Sequence, residues 1–203
     1  MNIEKILPLI VPGNYFNKKT GDLPNHKFAN KDFMLTWVAF DAEGVMGYLT
    51  KKEYKTLDDT YYDWQMQAFE NLRLSINEDE IFFTQHKMSS DGKRVLFIVF
   101  LNADGIGCSR VLFSSELSET FPNGYYIAIP DRSCGLIVAK DVTAKELDEI
   151  TEMVKKTFAN AAMPLSASLH TVDEFLLPPD WVEPFDPEYS EELMNEIIAL
   201  RVS

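Results

Sequence analysis

Cysteine, histidine and glycine are all scarce, at two, three and nine residues in a chain of 203. The two cysteines, Cys108 and Cys134, cannot build the cross-linked framework of a small secreted domain, and a chain this long does not need one. A reducing compartment is the simpler expectation. His26, His86 and His170 lie far apart, and neither C-x-x-C nor H-E-x-x-H spacing occurs, so nothing points to a metal site or any other cofactor. No apolar run approaches the roughly eighteen residues of a membrane span. The stretch Ile6–Val11 is broken by Pro8 and stopped by Pro12-Gly13, too short and interrupted for a secretory signal. A cytoplasmic protein is expected.

Positive charge is the other shortage. Nineteen Lys and Arg face 32 Asp and Glu, for a net charge of -13. That balance argues against nucleic acid and anionic membrane surfaces as partners, since both are bound by neutralising phosphates. The deficit is also uneven: residues 173–203 hold nine acids and one base, Arg201, a net of -8 that leaves -5 for the other 172 residues.

Apolar residues make up 46% of the chain and aromatic ones 12%, enough for a core and a single domain over residues 1–178. Residues 13–33 are rich in turn formers and read as a loop. Leu35–Phe40 and Met46–Thr50 flank Asp41-Ala42-Glu43-Gly44 as a β-hairpin. From Thr60 to Ile76, Tyr61, Trp64, Ala68, Leu72 and Ile76 recur at helical steps, with Thr60 and Asp63 as a start signal. Two strands, Glu80–His86 and Lys93–Leu101, come next, the second apolar throughout its centre as for a strand covered on both faces. A helix from Cys108 to Glu119 follows the polar turn at 102–107. Tyr125–Ile129 and Cys134–Ala139 make another hairpin across Pro130-Asp131-Arg132-Ser133. Thr143-Ala144-Lys145-Glu146 is a capping box opening the clearest helix, and Leu165–Val172 alternates like a strand with one wet face. A Pro-rich linker and an acidic amphipathic helix, Tyr189–Leu200, occupy 179–203, the helix docking on the domain or extending from it. Hairpins imply antiparallel pairing, so the expected class is α+β: a mixed, largely antiparallel sheet built from hairpins with helices packed on it, plus the acidic C-terminal helix.

Several blocks resemble a known family. Gly107-Cys108-Ser109-Arg110-Val111-Leu112, Ala128-Ile129-Pro130-Asp131-Arg132, Leu136-Ile137-Val138-Ala139 and Met163-Pro164-Leu165-Ser166, with Ala68-Phe69-Glu70-Asn71-Leu72 upstream, resemble the bacterial YtpQ-like family, a domain of unknown function. The resemblance spans about residues 6–178 and rests on block order. It implies a bacterial cytosolic α+β domain, and it brings no activity or catalytic residue with it.

Two candidate sites follow. The connection Asn102–Arg110 joins an apolar strand to a helix; its glycines, helix-start N–H groups and Asn102, Asp104, Ser109 and Arg110 form a candidate anion or small-molecule site, which Asp131 and Arg132 of the hairpin turn would extend. The same residues are what a tight turn requires, with Asp104 or Ser109 as a cap. Cys108 reads as a buried small hydrophobe. The second candidate is the acidic tail, where Trp181, Phe185, Glu188, Glu191 and Glu192 would meet a basic protein partner. The leading expectation is a non-enzymatic binding or adaptor protein, including the immunity partner of a basic toxin; the alternative is a ligand-binding or hydrolytic site at 102–110.

Overall fold

The computed structural model describes residues 2–15, 23–77, 85–102 and 104–176. The Pro-rich linker and the acidic helix lie outside the described residues. The fold is α+β, with two four-stranded antiparallel sheets in place of the one expected. Each sheet belongs to its own compact unit, the first built from residues up to Ser75 with Leu176, the second from Ile76–Phe175.

In the first unit, β1 (Ile6–Pro12) pairs along the whole of β3 (Phe33–Phe40), from Ile6↔Ala39 to Pro12↔Phe33. The other edge of β3 is shared by two three-residue strands, β2 (Asn25–Lys27) and β4 (Met46–Tyr48). The expected hairpin of β3 and β4 is present; its Asp41 carboxylate accepts from the Glu43 and Val45 N–H groups at 3.0 and 2.7 Å, and Gly44 takes φ 79°. β2 lies within the stretch read as a loop, and three residues are too few to show a periodicity.

Helix α1 (Lys51–Thr60) was not expected. It buries only Leu57 and so carries no apolar stripe, although Thr50 and Glu53 form a complete capping box at its start. Helix α2 begins at Trp64, not Thr60: Thr60 ends α1 and Tyr61 is 41% exposed, while Trp64, Ala68 and Leu72 are buried. Trp64 packs edge-on against Trp37 with centroids 4.9 Å apart, and its indole N–H donates to Asp58 at 2.6 Å. The Asn71 amide donates to the Ile3 and Ile6 carbonyls, tying α2 to the start of β1.

The second unit contains β5 (Gln85–Met88), β6 (Val95–Leu101), a 3-10 helix (Gly107–Thr120), β7 (Tyr125–Asp131), β8 (Cys134–Ala139), α3 (Ala144–Ala159) and a short 3-10 turn (Val172–Phe175). The strand order is β5-β6-β8-β7, antiparallel throughout. Ile150 and Val154 of α3 pack with Ala128, Leu136 and Val138 on one face. Val111 of the 3-10 helix stands against Gly135, where a Cβ would come within 2.6 Å of it. With α3 on one side and the 3-10 helix on the other, β8 is buried at all six positions. The expected capping box of α3 is complete, Thr143 and Glu146 each satisfying the other's backbone N–H.

The helix expected over Cys108–Glu119 is present, as a 3-10 helix in which Cys108, Val111, Ser114 and Leu117, three residues apart, are all buried. Three residues per turn put those four on one line, where a 3.6-residue period would have swept them off it. The segment 165–172 is not a strand. It is irregular, held to the outer edge of β7 by single bridges, Ile127↔His170 and, just before it, Asp131↔Pro164.

Candidate functional site

The connection 102–110 and the hairpin turn 130–133 come together. The Asn102 N–H donates to the Ser133 carbonyl and the Cys108 N–H to the Arg132 carbonyl, each at 3.1 Å. Gly107 permits this approach: a Cβ there would drive into the Ser133 carbonyl. Gly105, at φ 75°, lies under the Arg132 guanidinium, which would sit 3.1 Å from an added Cβ.

Asp104, Arg110 and Asp131 are engaged within this junction. Asp104 accepts from the Ile106 N–H at 3.0 Å and pairs with Arg110 at 2.7 Å, and the Arg110 side chain is only 3% exposed. Ser109 is wholly buried. Asp131 is held by the Ser133 hydroxyl and N–H and by the Met163 N–H at 2.9 Å. Burial pushes the Asp131 carboxyl up, but those hydrogen bonds, with Arg132 beside it, outweigh burial and hold it below its ordinary value. Desolvation pushes the Cys108 thiol up to about 12 and that of Cys134 to about 11. Neither thiol is a nucleophile near neutral pH, because the thiolate is the reactive form. All six residues proposed for the ligand site are thus at or beside one junction, where Asp104, Arg110 and Asp131 hold the backbone together.

The tail candidates Trp181, Phe185, Glu188, Glu191 and Glu192 lie outside the described residues.

A different constellation stands on the far edge of β7. The His170 backbone exchanges two hydrogen bonds with Ile127 at 2.8 and 2.9 Å, and the Ser166 N–H donates to Ile129 at 3.1 Å. Both residues are therefore fixed to one strand. The Ser166 Oγ lies 2.8 Å from His170 Nε2, and His170 Nδ1 lies 2.9 Å from Glu174 Oε2. Glu174 is itself oriented, its other oxygen accepting from the Thr171 N–H at 2.8 Å. Phe175 closes on the imidazole edge-to-face at 5.8 Å.

Sequence reasoning missed this line of Ser, His and Glu. Its signal is a spacing of four and four, but in the strand expected there residues four apart stand about 13 Å apart and do not touch. Only the irregular path of 165–176 brings them into contact.

In the first unit, an open groove of about 570 Å³ is lined by Lys5, Asp41, Tyr48 and Glu53 among others. Its carboxylates are already engaged, Asp41 in the hairpin turn and Glu53 in the capping box. Among the described residues no cluster of three or more His, Cys, Asp or Glu is placed to hold a metal ion, and no helix is long and apolar enough to cross a membrane. No family model, curated protein or solved structure matches the chain.

Proposed function

We propose that this protein is a cytoplasmic bacterial binding protein that recognises a basic protein partner through its acidic C-terminal segment, as an adaptor or an immunity-type neutraliser. The observation that carries this reading is the charge distribution, with -8 of the net -13 concentrated in residues 173–203. A segment of that charge steers and selects a positively charged partner. The linker aromatics Trp181 and Phe185 supply apolar anchors beside it. The competing reading, an anion site at 102–110, draws no support from Arg110, whose charge is spent on Asp104. Kinship with the YtpQ-like family rests on the same residue blocks and brings no activity to transfer.

Affinity capture from the native host tests the proposal, with the full chain, a chain ending at Pro179, and a Glu188→Gln, Glu191→Gln, Glu192→Gln variant as baits. A basic protein retained by the full chain, released by added salt and lost from both altered baits is the expected result. Equal retention by all three baits, or retention indifferent to salt, would overturn it.

A further inference from the structure

We infer that Ser166, His170 and Glu174 form a nucleophile, base and orienting carboxylate able to cleave small neutral carboxylic esters, an activity separate from partner binding. The protonation pattern follows from the donors and acceptors present. An ionised Glu174 only accepts, so the proton between it and His170 belongs to Nδ1. In the neutral imidazole Nε2 is then an acceptor, aimed at Ser166 Oγ. That oxygen already accepts from the Ser168 N–H at 3.1 Å, which leaves its own hydrogen for His170. A hydroxyl on a neutral imidazole, itself held by a carboxylate, is the arrangement that activates a serine.

Rigidity supports the same reading. Ser166 and His170 hang from Ile129 and Ile127 of one strand, and Glu174 is fixed by Thr171, so the three groups are held without a substrate. Ser166 is only partly buried, which leaves it within reach of solvent, whereas His170 is 8% exposed and shielded by Phe175. Exposed Asp173 and half-buried Glu174 beside His170 place negative charge at the site, which disfavours anionic acyl donors and favours neutral ones.

In the reaction, Ser166 Oγ bonds to the ester carbonyl carbon as its proton moves to His170 Nε2. The carbon–alkoxide bond breaks, and the alcohol departs with that proton. Water then attacks the acyl-serine, its proton passing through His170 back to Ser166 Oγ as the acid is released. Glu174 touches no reacting atom and acts as a positioning residue.

The test uses the full chain with two probes, a neutral alkyl fluorophosphonate and p-nitrophenyl acetate. The fluorophosphonate should attach to Ser166 with loss of fluoride, located by peptide mass spectrometry, and p-nitrophenol release should exceed that of the heat-unfolded chain. His170→Gln should slow both reactions about 100-fold or more, the usual worth of a positioned base. Glu174→Gln keeps an acceptor for the Thr171 N–H; it should leave the thermal midpoint near that of the parent while lowering the rate and altering its pH profile. Ser166→Ala should abolish labelling. Absence of an adduct on Ser166, an adduct formed equally fast in His170→Gln, or ester cleavage no faster than the unfolded chain would each overturn the inference. Because the mass of the Ser166 peptide in the unaltered protein decides the matter, misfolding of a variant does not obscure the answer.

Discussion

Asp131 shows how a turn engages a charged side chain through its own backbone. It sits in a turn beside Arg132, the pattern of a charged pair open to a ligand, yet its two oxygens take three donors from Ser133 and Met163. Asp131→Ala leaves two backbone N–H groups in a poorly hydrated place, a loss of about 2–3 kcal/mol to unfolding, measurable in urea. The loss is specific to pH. Because the folded carboxyl titrates below its unfolded value, Asp131 contributes fully above the unfolded pKa of about 4 and progressively less as pH falls toward the folded one. The difference in stability between parent and Asp131→Ala should therefore shrink in acid; a constant difference from neutral pH down through that range would contradict the assignment. His170 is the complementary case. Nothing about an isolated histidine in the sequence separates a core residue from a base, and its partners become visible only through the path of the backbone around it.

Among the elements, α3 was the most legible because local and global signals agree there: a capping box at Thr143, then an apolar stripe whose Ile150 and Val154 meet the sheet. Packing outweighs capping in such a helix. Ile150→Ala should cost about 3 kcal/mol, and Thr143→Ala about 1 kcal/mol; calorimetry that ranks the two the other way would remove α3 from the core of its unit. Elements held by tertiary pairing were illegible. β2 has three residues and α1 buries one, whereas the helix after the 102–107 turn was legible in extent and only its three-residue spacing came from the structure. The segment 165–172 misled in the opposite direction. Its alternation is real, but it meets β7 at single bridges, covering a sheet edge that would otherwise be open to another chain.

At the scale of the molecule, four carboxyls of the second unit bear on stability in acid. Asp91, Asp131, Glu146 and Glu152 all have carboxyls held below their ordinary values: Asp91 by the Ser89 hydroxyl, Glu146 by the Thr143 N–H and hydroxyl, and Glu152 by Lys155. Below about pH 4 the unfolded chain binds more protons than the folded one, so this unit should lose stability in acid. Titration followed by near-ultraviolet circular dichroism would show that limb, and a flat response down to about pH 2 would refute it. The buried thiols act at the other end. With folded values near 12 and 11, Cys108 and Cys134 contribute stability that is present below about pH 8.5 and lost as pH rises through those values.

Local sequence settled the α+β class, the antiparallel hairpins, the capped helix α3, the burial of Cys108 and the placement of charge. Each of these depends on neighbours within a few residues or on composition, and such information is local. Tertiary structure alone decided the division into two sheets, the closing of the 102–110 connection onto the 130–133 turn, and the meeting of Ser166, His170 and Glu174. These depend on where the backbone turns and which groups it brings within about 3 Å, the reach of a hydrogen bond. A side chain carries no record of a partner that arrives by folding, and so Arg110 reads as an anion ligand until Asp104 is found beside it.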